Sequence, residues 1–155
     1  MYRKKWEDLL DPKWKNKLVV ELEDYDWYAM LVKLKGEENG IKLLENIANT
    51  NEVSNRKGHS LLANLTASGE VPMALTVYSY KAEQLKKEGT PLDWFALETA
   101  IARPNGHAVS KNAPHPHAAV LFLDFMVSDG QQIMSDLNFV PASTRMETPL
   151  KKCPD

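Results

Sequence analysis

The stretch "SGEVPMALTVYSYKAEQLKKEG" (residues 68–89) decides how the chain is read. A glycine turn opens it. An apolar run with β-branched and aromatic residues follows over 71–80, and this composition favours a strand. A polar run rich in Lys and Glu comes next and closes at Gly89, which fits an exposed helix. Strand followed directly by helix is the building unit of an α/β layer fold. The same stretch places Tyr78 and Tyr80 at the end of the strand, just before a helix start. In open α/β sheets, ligands bind beyond the carboxyl ends of strands, beside helix N-termini. Alternate strand residues face one side, so the two phenols are expected to share a cleft. The plainer alternative is that one or both phenols only cover the sheet edge.

Upstream, the alternation continues. "WEDLLDPKWKNK" (6–17) reads as a short helix stopped at Asp11-Pro12, where proline disfavours helix in the residue before it. "KLVVELE" (17–23) reads as a buried strand. Trp27, Met30, Leu31 and Leu34 then fall at helical spacing, with Gly36 closing the helix. A second helix covers 40–50, and a polar loop follows. "KGHSLLANLTASGE" (57–70) reads as a third helix, with Gly58 before it, Ser60 as its cap and Gly69 at its end. Two strand-to-helix turns offer free N–H groups to an anion or carboxylate: "EDYDW" (23–27), holding Asp26 and Trp27, and "KGHS" (57–60), holding His59 and Ser60. Asp24 and Asp26 also suit simple N-capping.

Downstream, 91–99 and 100–110 read as strands, the second broken at Pro104-Asn105-Gly106. "KNAPHPHAAVLFLDFMVSDGQQ" (111–132) reads as a helix with Ala118, Leu121, Phe122, Phe125 and Met126 on one face. From Val140 on, an irregular tail is expected.

The composition is that of a folded domain. The chain has 155 residues, 43% hydrophobic and 26% charged. A net charge of −2 argues against nucleic acid as a partner. A single cysteine, Cys153, permits neither an internal disulfide nor a thiolate metal cluster. No apolar stretch is long enough to cross a bilayer. The first ten residues lack the apolar core of a signal peptide, so the chain as written is expected to stay in the cytoplasm. None of the common hydrolase, zinc-protease or nucleotide-binding motifs occurs. His115 and His117 lie two apart, off the spacing that puts two ligands on one helix face, and Pro116 suits a first helical turn. That stretch reads as the start of a helix. A metal-dependent hydrolase built on His59, His107, His115 and His117 lacks supporting carboxylate–histidine spacing.

The order of "WEDLLDPKWKNKLVVE", "GHSLLANLTASGEVPMALTVYSYKAEQLKKEG", "IARPNGHAVSKNAPHPHAAVLFLDFMVSDGQQIM" and "FVPAS" resembles the solute-binding proteins of ABC importers. The likeness runs over about residues 6–143 and is nearest the iron(III)-type extracellular group. It implies an α/β lobe of the type II periplasmic binding protein fold, a mixed sheet flanked by helices, with no enzymatic activity and no cofactor. It implies that residues 1–155 form a single truncated unit, the second half of a chain about twice as long, with the first lobe largely absent. Residues 18–98 would form the second lobe, 99–126 the returning strand and helix, and 127–155 a C-terminal segment. Iron-binding relatives use adjacent tyrosines near "VYSY" as metal ligands; here Ser79 separates Tyr78 from Tyr80. The resemblance therefore points to iron(III) or an anionic or organic small molecule as solute. Tyr78, Ser79 and Tyr80 would bind it, with His59, Ser60, Asp26 and Trp27 assisting and the two tyrosines holding any metal. Importer membrane subunits would be partners, and the location would be periplasmic or extracellular. A different outcome is an orphan lobe without a transport role. It would form a homo-oligomer through the apolar helix 116–126, with Leu121, Phe122 and Phe125 at the interface.

Overall fold

The computed structural model describes residues 5–143 and 146. The tail expected to be irregular, with Cys153, lies largely outside them. The chain divides into two compact units, one running to Ile101 and the other beginning at Ala102.

The first unit is built on a parallel sheet of three strands in the order β2-β1-β3. Strand β1 spans Leu18–Glu21, β2 Ser54–Arg56 and β3 Met73–Ala74. Val19 pairs with Ser54 on one side of β1 and with Ala74 on the other. Four helices connect or follow the strands: α1 (Tyr25–Lys35), α2 (Glu37–Asn51), α3 (His59–Ala67) and α4 (Ser79–Lys87). Ahead of them, 6–17 forms two short 3₁₀ turns, Trp6–Leu10 and Pro12–Trp14, broken at Asp11, whose carboxylate accepts from the Lys13 N–H.

Strand periodicity explains the layers. Successive side chains of β1 point to opposite faces. Leu18 enters a cluster with Trp6, Leu9, Leu31, Leu43 and Ile47, drawn from the 3₁₀ turn, α1 and α2. Val19, its neighbour, enters a second cluster with Leu62 of α3 and Val71. From β3 the alternation repeats over three residues, Met73 and Leu75 packing on the first cluster and Ala74 on the second, and it ends before Val77, which also packs on the second. The sheet is thus covered on both faces, as parallel sheets generally are. Gly36 joins α1 to α2 at φ 83°, a conformation that glycine adopts without strain.

Several sequence expectations change here. The apolar run at 71–80 gives only two sheet residues, Met73–Ala74. Pro72 brings no N–H to a ladder, and Tyr78 is already the N-cap of α4. Residues 91–110 form no strand. Asp93 pairs with Lys86, and the Trp94 indole N–H donates to Glu83 at 2.8 Å, so Asp93 and Trp94 are fastened to α4 by side chains. The loop at 54–56 is instead the edge strand β2, made by backbone pairing alone. Helix α3 is capped by Gly58, and Ser60 lies inside the helix and exposed.

The second unit contains α5 (Pro116–Val127) and α6 (Gly130–Asp136). Pro116 occupies the first turn of α5, so the His-Pro-His stretch is a helix start. The two helices meet closely at Gly130, where a Cβ would lie 2.8 Å from the Phe125 carbonyl oxygen. Buried Gln131 donates to the Met126 carbonyl at 2.7 Å and accepts from the Ala142 N–H at 2.9 Å. No residue of α5 is buried.

Candidate functional site

All three strands run parallel, so the connections β1–α1, β2–α3 and β3–α4 leave from one end of the sheet. This carboxyl end is where backbone N–H groups of helix starts and strand-terminal side chains converge. Three aromatic rings gather there. His59 opens α3, Tyr78 caps α4 and Tyr80 lies in the first turn of α4. The Tyr78 and Tyr80 rings stack at 5.7 Å with 18° between planes. His59 lies against the other neighbour, its ring centroid 4.0 Å from that of Tyr78. The tyrosines are therefore together, although alternation along a strand is not what joins them. A helix cap and the second residue of the helix bring them side by side.

Beneath the rings lies a polar frame. Glu21 ends β1 and is 5% exposed. Its carboxylate accepts from the Gly58 N–H at 2.8 Å and from the Glu23 N–H at 2.7 Å. Its own backbone N–H donates to the Thr76 hydroxyl at 2.9 Å. The bond from Gly58 holds the Glu21 carboxyl below its ordinary value, against the opposing effect of burial, with help from the Glu23 N–H, His59 and Lys57. His59 Nδ1 lies 3.0 Å from the Thr76 carbonyl oxygen, and a carbonyl only accepts, so this network assigns the proton to Nδ1. His59 Nε2 is 3.9 Å from the Glu21 carboxylate. At the rim, Lys57 pairs with Glu23 at 2.7 Å, and this bond raises the affinity of Lys57 for its proton.

The other expected binding residues are placed differently. Ser79 is the first residue of α4 and is half-buried. Asp26 is exposed in the first turn of α1, and Asp24 occupies the N-cap without a capping bond from its side chain. Trp27 meets Trp6 edge to face at 5.4 Å and belongs to the first apolar cluster, which is a core role. At the start of α3, the Gly58 N–H already serves the Glu21 carboxylate, so the protein supplies its own anion there. His107, His115 and His117 are exposed, and among the described residues no three His, Cys, Asp or Glu side chains converge as for a metal. Leu121 and Phe122 on α5 are 71% and 63% exposed, and Phe122 lies 6.3 Å from Phe125.

Glu21 and Thr76 escape a reading by motif. A signal for Glu21 was present: it lies two residues after Val19, and so on the same inward face of a buried strand.

Phenols, an imidazole and helix starts at a sheet end offer three kinds of contact. Phenolates are hard oxygen donors for a metal of high charge, phenols donate hydrogen bonds to anions, and ring faces receive organic groups. A family model described as bacterial extracellular solute-binding protein matches residues 2–153. Iron uptake protein A1 of Synechocystis sp. is 24% identical over 162 residues, covering 95% of this chain and 45% of that protein. The crystal structure of iron-bound HitA from Pseudomonas aeruginosa matches with a TM-score of 0.70 and 25% identity, over 97% of this chain and 52% of that one. The chain thus spans about half the length of these relatives.

Proposed function

Because this chain belongs to the bacterial extracellular solute-binding protein family and has the type II periplasmic-binding-protein α/β fold, we propose that it supplies a solute-contacting lobe to the binding component of an ABC importer. The solute is held at the carboxyl end of the sheet by Tyr78 and Tyr80, with His59 beside them. The observation that carries this reading is the stacking of the two phenols at 5.7 Å on the start of a helix. One relative is named an iron uptake protein and the other is iron-bound in its crystal structure, so iron(III) with its small chelates is the first solute to test. The chemistry also suits anionic or organic solutes that lie on the ring faces. The role is binding without turnover, in the periplasm or outside the cell, with importer membrane subunits as partners. Among the described residues no helix is long and apolar enough to cross a membrane.

Calorimetry against ferric nitrilotriacetate, phosphate esters, polyamines and carboxylates tests the reading. Ferric binding through phenolates would also show a visible charge-transfer band, lost in Tyr78→Phe/Tyr80→Phe. A flat response to the whole panel overturns the reading for this chain.

The exposure of α5 favours a second reading. Val120, Leu121, Phe122 and Val127 are each more than half exposed on a helix with no buried residue. An apolar surface of this kind marks an interface, and a homo-oligomer through α5 would cover it. Light scattering at micromolar concentration should then show more than a monomer, and Phe122→Asp should return the monomer. A stable monomer before substitution rejects the second reading.

A further inference from the structure

Glu21 is a buried carboxylate that solute contact alone does not explain. It is 5% exposed, and its strand neighbours Leu18 and Val19 are apolar core. Nevertheless it touches each of the three connections at the carboxyl end of the sheet. It accepts from Gly58 at the start of α3 and from Glu23 in the β1–α1 turn. Through its backbone N–H it holds the Thr76 hydroxyl in the β3–α4 connection. The Thr76 carbonyl receives His59 Nδ1–H, and the His59 ring lies on Tyr78. From these contacts we infer that Glu21 is the positioning residue of the solute site: with Thr76 it fixes the His59 ring and, through it, the Tyr78–Tyr80 stack.

The role rests on the tyrosine–histidine stack being the solute site. An ionised carboxylate removed from water persists only when its oxygens are hydrogen-bonded. Here backbone N–H groups from two different connections do this, so burial of the charge depends on both being in place. Bonds from N–H to carboxylate are also stronger than neutral ones. A misplacement of α3 relative to β1 would strand the charge, which makes the arrangement specific as well as stable. Glu21 touches no solute and acts through the start of α3, setting where the His59 ring sits, while the Thr76 carbonyl sets its tautomer, much as the partners of metal-binding histidines do elsewhere. The amide of glutamine cannot repeat this, because its NH₂ would face one of the two backbone donors.

The experiment compares Glu21→Gln and Thr76→Val with Leu43→Ala, a core substitution in α2 away from the site. Ring resonances of His59, Tyr78 and Tyr80 are followed by NMR without solute. Affinity is measured with ferric nitrilotriacetate as the probe. Glu21→Gln and Thr76→Val should shift the His59 and Tyr78 resonances, whereas Leu43→Ala should lower stability and leave them in place. Affinity for the probe should fall about 10–100-fold in the first two variants. Their double variant should lose less than the sum, since both act through one network. The inference is overturned if Glu21→Gln moves the rings no more than Leu43→Ala does. If Glu21→Gln fails to fold, Thr76→Val, which keeps the carbonyl and the branched shape, decides by the same resonances. If the unsubstituted chain takes up none of the probe, it is the iron reading that fails, and the resonances still decide the role of Glu21.

Discussion

Asn51 ends α2 with its side chain fully buried. Its amide donates to the Leu9 carbonyl, and its backbone carbonyl accepts from the Asn16 N–H at 2.8 Å, so it fastens the N-terminal turns to α2. Its side-chain oxygen has no hydrogen-bond partner among the described residues. Asn51→Asp would place a buried carboxylate at a helix C-terminus, opposite a carbonyl. The expected loss is about 3 kcal/mol or more, read as a lower urea midpoint at neutral pH and partly regained in acid, where the group is neutral. Asn51→Leu should cost less, because it removes the unmatched oxygen together with the donor. No motif marks this residue, since only packing makes a polar side chain costly. Tyr78 and Tyr80 were legible as a pair for the opposite reason. Their chemistry and their place before a helix are local, and a helix start brings them together as well as a strand end would.

At the scale of elements, the helices were legible and the sheet was less so. The spacing of Trp27 and Leu31 and the glycine at 36 mark α1, although Met30 and Leu34 of the same expected face are exposed, and the second helix read over 40–50 lies within α2, because helix contacts are local. Strand β2 has three polar residues and no apolar alternation, and it exists only because β1 offers a backbone edge. Residues 91–99 have the composition of a strand but find side-chain partners on α4 instead of a ladder. Pairing is a property of the partner, which no local window contains. The packing of α1 on α2 carries its own test. A Cβ at Gly40 would lie 2.6 Å from Val32 Cα and 2.9 Å from the Val32 carbonyl oxygen, and backbone atoms cannot step aside. Gly40→Ala gains helix propensity yet should destabilise the chain by about 1–3 kcal/mol. Thermal unfolding would show it, and an unchanged or raised midpoint would refute the close approach.

Among the described residues, the buried aliphatic and aromatic side chains lie in the unit that ends at Ile101, from Trp6 to Leu85. Amide exchange should therefore be slowest in β1, α2 and α3 and faster in α5, which has no buried residue. All four tryptophans lie in that first unit, so their fluorescence reports its unfolding. The same unit holds the carboxylates that set its response to acid. A hydrogen bond from Lys35 holds Glu7 below its ordinary value of 4.5, outweighing burial, and the Gly58 N–H does the same for Glu21. Lys35, whose ammonium burial disfavours, is nonetheless raised by its bonds to Glu7 and Glu98, so its contribution is lost only in alkali. A carboxyl lowered in the folded state adds stability above its unfolded value and loses it as pH falls through the folded one. Stability is therefore expected to be flat near neutrality and to fall once the pH drops below 4.5. Urea unfolding followed by tryptophan fluorescence between about pH 7 and about pH 3 measures this slope. Glu21→Gln should be less stable at neutral pH and lose less on acidification, because glutamine has no proton to gain. Equal slopes for the two chains would mean that Glu21 holds its proton equally well folded and unfolded, so that the bonds from Gly58 and Glu23 do not favour its charged form.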